Sequence, residues 1–159
     1  MTTLTLPVWP PASDVAFFAA AKAVFDEFRG YGLPIAGSLG MVAQGEAESA
    51  FKISIPGDDG SAHGIFQWHT QRIAQIKAGT GIDITTAPPI ADQCAAAWWE
   101  LQTFPSLGLT QLRASTTAMQ AGIAGCQFLE RAGAKDAAQR RGAMAERWAA
   151  YAANNGWTP

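Results

Sequence analysis

The chain has 159 residues, enough for one domain with a real core and too few to suggest several. Apolar residues make up 48% and charged residues 15%, which excludes an intrinsically disordered chain. The formal net charge of −2 argues against nucleic-acid binding, which needs a basic surface, and makes long-range electrostatic steering weak.

Residues 1–12 contain Pro7, Pro10 and Pro11 and read as an extended arm, since proline fixes φ and removes a backbone donor. A single domain is expected over 13–159. Ser13 or Asp14 can cap a first helix carrying Val15, Phe18, Ala19, Lys22, Phe25 and Phe28 at helical spacing, ended by Gly30-Tyr31-Gly32. A second helix is expected from Pro34 to Ser49, with Ile35, Leu39, Val42 and Glu46 on one stripe. Glu48 falls on the other side with Gly37, Gly40, Met41 and Gln44. Glycines there imply either dense packing or a groove that admits a bulky partner.

Pro56-Gly57-Asp58-Asp59-Gly60 is a turn signal between Ile-rich and aromatic flanks, and predicts a small β-hairpin within Phe51 to Trp68. Further helices are expected from Thr70 to Ala78, from the Pro88-Pro89 start through Leu101, and briefly over Ser106 to Leu112. Ser115 or Thr116 should cap a long helix to Arg131. A last helix, Asp136 to Ala153, carries Ala137, Arg141, Met144, Trp148 and Tyr151 as its stripe. No stretch is long and apolar enough to span a membrane. The N-terminus shows no signal-peptide pattern, so action outside the cytoplasm would need delivery by a virion or a lysis partner.

Two carboxylates at a helix end, beside a Gly/Asp turn leading to Gln67-Trp68, form the centre of the sequence. The ordered motifs are Glu48-Ser49, then Asp58 with Ser61, Gly64, Gln67 and Trp68, then Ala91-Asp92-Gln93 with Trp99-Glu100-Leu101, and Phe128-Leu129-Glu130-Arg131. This set resembles the phage tail lysozyme family, within the lysozyme-like superfamily, over roughly Leu33 to Tyr151. Departures from the family pattern are Ala43 for Gly, Gln44 for Asn, Gly45 for Leu, Ala50 for Gly and Asp59 for Gly. The resemblance implies a mainly α, lysozyme-like fold, an α+β arrangement with a small hairpin beside the catalytic helix. It also implies cleavage of the MurNAc–GlcNAc β-1,4 bond of bacterial peptidoglycan by a phage lysin or tail-associated protein. The expected setting is a monomer, with phage tail or lysis proteins as possible partners, held in the virion or host cytoplasm until lysis.

Glycosidic cleavage needs a proton donor and, in most enzymes, a second carboxylate. The apolar stripe by itself favours Glu46 as the buried acid, whereas the resemblance selects Glu48. Asp58 is the candidate second carboxylate, with an ordinary turn role equally compatible with its position. Ser49, Ser61, His63, Gln67 and Trp68 are candidate sugar contacts. Hydrolysis and anhydro-forming transglycosylation both remain open. No cofactor is expected: His63 and His69 lack metal-ligand spacing, and Gly57 to Trp68 lacks a calcium-loop pattern. Cys94 and Cys126 read as buried thiols. A rival cysteine-nucleophile reading rests on Cys94 near a helix start. A non-catalytic wall-binding or tail-structural module is the other rival. Glu130-Arg131 reads as an ion pair or cap.

Overall fold

A computed structural model describes residues 3–54, 56–131, 133–134 and 136–157, the side chain of Asp58 excepted. Among the described residues, seven α-helices carry the fold: α1 (Val15–Gly30), α2 (Ile35–Ser49), α3 (Thr70–Thr80), α4 (Ile90–Thr103), α5 (Leu109–Ala114), α6 (Ala118–Ala124) and α7 (Ala137–Asn154). The strands β1 (Ala62–His63) and β2 (Trp68–His69) form one small antiparallel pair between α2 and α3.

Helix α2 is the axis of the molecule. Every residue from Gly37 to Glu46 is buried, and α1, α6 and α7 all pack on it. Its glycines serve that packing. A Cβ on Gly37 would lie 2.8 Å from the Leu112 carbonyl, and one on Gly40 would lie 2.6 Å from the Ala121 methyl. Neither position faces a groove; small residues there let helix backbones approach closely. Large side chains fill the rest of the core, among them Phe25, Phe28, Leu33, Met41, Phe66, Trp68 and Trp148.

Capping explains the helix ends. Asp14 accepts the Phe17 amide at the start of α1, and Thr117 with Gln120 forms a capping box at the start of α6. The predicted long helix to Arg131 is interrupted: after α6 the backbone widens into a π-helical turn over Gly125–Glu130. Gly125 lies against Gln44 there, and a Cβ would meet the Gln44 amide nitrogen at 2.6 Å. Such turns are frequent at functional sites.

The end of α2 is conformationally costly. Ala50 and Phe51 both adopt positive φ, at 51° and 62°, a region that L-residues avoid. Their amides fold back on the Glu46 and Gly45 carbonyls. Burial of the Phe51 ring, beside Phe17 at 5.3 Å and Trp148 at 6.0 Å, offsets the strain.

The hairpin differs from expectation in its turn. Ala62 pairs with His69 and His63 with Trp68, so the reversal lies at Gly64–Gln67, closed by Gln67 N–H on the Gly64 carbonyl at 3.0 Å. The Asp58–Gly60 segment is instead a short 3-10 turn that closes on itself through a Gly57–Ala62 bridge. The Ile-containing flank pairs with no strand among the described residues. Phe51 is drawn into the core, and the Ile53 carbonyl accepts from Gln93.

Residues 3–11 have no regular structure. They lie against α1 and α7, where Trp9 packs on Phe18 and on Trp148 at 4.4 Å, and the Arg147 guanidinium lies over the Trp9 ring at 4.2 Å.

Candidate active site

The two carboxylates near the end of α2 have opposite surroundings. Glu46 points into the protein and keeps only 3% of its side chain exposed. One of its oxygens accepts from Trp9 Nε1 at 2.9 Å and Arg147 at 2.7 Å, the other from Trp148 Nε1 at 2.5 Å. Burial raises its pKa, against the opposing pull of Trp148, Arg147 and Trp9. Glu48 lies half a turn further on and is 22% exposed. Its single described partner is Arg141 on α7, at 2.6 Å.

Arg141 is itself held by Gln44, which accepts from the same guanidinium at 2.5 Å. Gln44 is fully buried and donates to the Gly40 and Gly122 carbonyls. The glutamine that departs from the family's asparagine therefore positions the arginine that holds Glu48.

A second cation, Arg72, feels the charge of Glu48. Arg72 on α3 forms two 2.8 Å contacts with Glu100 on α4. Burial lowers the Arg72 pKa, but the Glu100 hydrogen bond and the charges of Glu100, Glu130 and Glu48 more than restore it. Glu130, at the end of the π-helical turn, has its pKa pushed up to about 8. Burial is the main cause and the Glu48 charge the next, with Arg72 and Arg141 acting in the opposite sense. The expected Glu130–Arg131 pair is not formed. Arg131 turns to the Phe128 carbonyl and Ser106, and Glu130 Oε1 is enclosed without a hydrogen-bond partner.

The hairpin residues divide in two. Ser49 Oγ donates to the Ile65 carbonyl at 2.8 Å, tying the end of α2 to the hairpin turn. Trp68 is fully buried, and its Nε1 donates to Glu100 at 2.6 Å. Gln93 completes the attachment: its oxygen accepts the Ile65 amide at 2.7 Å, and its nitrogen donates to Pro88 and Ile53 carbonyls. Ser61 is exposed, while His63 and Gln67 are half-buried. Gln67 bends back, Nε2 donating to the Gly64 carbonyl at 3.0 Å, and its Oε1 leaves no room for a Cβ on Gly57. Asp59 is exposed with φ 56°. The backbone of Asp58 forms the 3-10 turn, and its side chain lies outside the described residues.

Cys94 does not sit as a nucleophile. It is buried within α4, and burial drives its pKa far up, the reverse of an activated thiol.

Gln93 and Glu100 lie within motifs that carry the family resemblance without a role assigned to them, and sequence reasoning does not single out Arg72 or Arg141 as site-supporting. Arg141 carried a signal: a cation on an apolar stripe, between Ala137 and Met144, must find a partner inside.

A helical body built around one buried helix, with a short antiparallel pair beside that helix's carboxyl end, defines a mainly α, lysozyme-like domain. The chain belongs to the phage tail lysozyme family, whose model matches residues 19–152. Membership makes it a lysozyme-like, phage-associated cell-wall hydrolase of the glycoside hydrolase type. Comparison with curated proteins finds no match. Among the described residues, no helix is long and apolar enough to cross a membrane.

Proposed function

We propose that the protein is a muramidase that cleaves the MurNAc–GlcNAc β-1,4 bond of bacterial peptidoglycan, with Glu48 as the proton donor. The observation that carries this reading is the contrast between the two α2 carboxylates. A general acid must come within hydrogen-bond reach of the leaving oxygen. Glu46 is enclosed by three donors, whereas Glu48 is reachable from solvent and held by one side chain. Delivery of its proton releases the leaving sugar as charge develops on the other. Asp58 is the proposed second carboxylate, activating water from the turn across the cleft at roughly 6.5–9.5 Å from Glu48, as an inverting geometry requires. Ser61, His63 and Gln67 are proposed sugar contacts. Ser49 and Trp68 act from behind, holding the hairpin against α2 and α4. The protein works as a monomeric phage lysin or tail-associated hydrolase, brought to the wall by the virion or by lysis proteins.

Mass spectrometry of muropeptides released from purified wall tests the reading. Reducing MurNAc ends are expected. Anhydro ends would replace hydrolysis by transglycosylation, while free stem peptides or an intact wall would overturn the class. Glu48→Gln should lower turnover by about a hundredfold or more in a protein that still folds and binds wall fragments. Asp58→Asn should lower turnover more than binding, and Asp59→Asn should do little. Unchanged turnover in Asp58→Asn would leave Glu48 working without a carboxylate partner.

A further inference from the structure

We propose that Glu130 is a sugar-contacting carboxyl and that the cavity it lines is a glycan subsite; this rests on the peptidoglycan reading above. The cavity, of about 410 Å³, lies between α3, which contributes Gln71, Arg72 and Gln75, and the chain around Ser106 and Leu129–Glu130. Its size suits a sugar ring, its walls mix amide and apolar groups with the charged Arg72, Glu100 and Arg131, and two of its lining groups, Arg72 and Glu130, feel the charge of Glu48.

The observation that points to a ligand is the state of the Glu130 carboxyl. Its Oε1 is enclosed and unpartnered, and neither oxygen takes part in a described hydrogen bond. Buried polar groups left in this way are rare and costly, and are kept where something else completes them. Cations are close by but committed elsewhere. Arg72, from α3, is bound to Glu100 of α4, and Arg141, from α7, is bound to Glu48 and Gln44 of α2. Glu130 therefore has four charged neighbours and, among the described residues, no ion pair.

Chemistry follows from that isolation. Burial and the Glu48 charge hold the Glu130 carboxyl up to about 8, so that at neutral pH it carries a proton. A neutral acid donates one hydrogen bond and accepts others. Sugar hydroxyls and an N-acetyl carbonyl match this pattern. The Gln71 and Gln75 amides extend the same neutral recognition along α3.

Isothermal titration of the full chain with a thio-linked MurNAc–GlcNAc tetrasaccharide, which resists cleavage, tests this. At pH 6, Glu130→Ala should weaken binding about tenfold, while Glu130→Gln, which keeps a donor and an acceptor, should stay within about threefold. Between pH 6 and pH 9 the wild type should lose affinity as the carboxyl ionises, and Glu130→Gln should not. Wild-type affinity in a folded Glu130→Ala, or the same pH-dependent loss in Glu130→Gln, overturns the subsite. If Glu130→Ala does not fold, the pH series on Glu130→Gln decides alone. A wild type that binds no tetrasaccharide at any pH removes the peptidoglycan reading itself, and the subsite with it.

Discussion

Nη2 of Arg141 lies 2.6 Å from Oε1 of Glu48, while Nη1 of the same guanidinium lies 2.5 Å from Oε1 of Gln44. One cation from α7 thus spans two residues a helical turn apart on α2. The planar fork suits this geometry, and lysine could not reproduce both contacts. Arg141 is only 11% exposed and Glu48 still meets water. Removing the arginine should therefore cost about 3 kcal/mol, the low end of the range for breaking a buried pair. Urea unfolding of Arg141→Ala measures this. Turnover per folded molecule should fall as well, because Glu48 loses its only described tether; unchanged turnover would show that Glu48 needs no positioning.

Glu46 should behave in the opposite way. Three donors converge on its carboxylate, and an amide in its place turns an NH2 group toward at least one of them. Glu46→Gln should lose about 2 kcal/mol of stability, read as a lower thermal midpoint. Its turnover per folded molecule should stay near wild type. A large loss of turnover without a loss of stability would move the proton donor from Glu48 to Glu46.

The pH dependence of stability should carry the signature of Glu130. Its folded-state pKa, about 8, stands above the ordinary glutamate value of 4.5. The folded protein then binds more protons than the unfolded chain across that interval, so stability falls as pH rises. The contribution is fully present below pH 4.5 and is lost as pH rises through about 8. Glu130→Gln should flatten the profile over this window and be more stable than wild type at its upper end. Denaturant midpoints from pH 4 to pH 9 would reveal it; parallel profiles for the two proteins would place the carboxyl in an ordinary environment.

Ala50 occupies a left-handed position, φ 51°, and is exposed. Glycine adopts this conformation without steric cost, although it also adds freedom to the unfolded chain. The first effect is the larger, about 1–2 kcal/mol against 0.4–1. Ala50→Gly should raise stability by about 0.5 kcal/mol or slightly more. A lower thermal midpoint would mean that the strain is relieved elsewhere in the turn.

Gln93 links three backbone groups of two loops through one side chain. Gln93→Ala leaves the Ile65 amide and the Pro88 carbonyl unpaired, at a cost of about 2–3 kcal/mol. Hydrogen exchange at the Ile65 amide should accelerate more than exchange in α2. Equal protection would show that Ser49 alone secures the hairpin.

Much of this molecule is local in origin and readable as such. Phe25 and Phe28 at helical spacing, Asp14 before α1 and Asn154-Asn155-Gly156 after α7 specify elements through propensity, capping and period, which depend on near neighbours in the chain. The motif order from Glu48-Ser49 to Glu130-Arg131 identified the family, and the apolar stripe correctly put Glu46 inside. That stripe carried no information about which carboxylate remains reachable. Glu46 is enclosed by Trp9, Arg147 and Trp148, which come from opposite ends of the chain. Glu48 meets Arg141, 93 residues away. The turn was also misplaced, because Pro-Gly-Asp-Asp-Gly satisfies its hydrogen bonds locally, while Ser49 and Gln93 fix the true reversal at Gly64–Gln67 from outside the segment. The raised pKa of Glu130 belongs wholly to tertiary structure. Its causes are burial and charges from four separate helices, and no period or composition encodes how those helices stack.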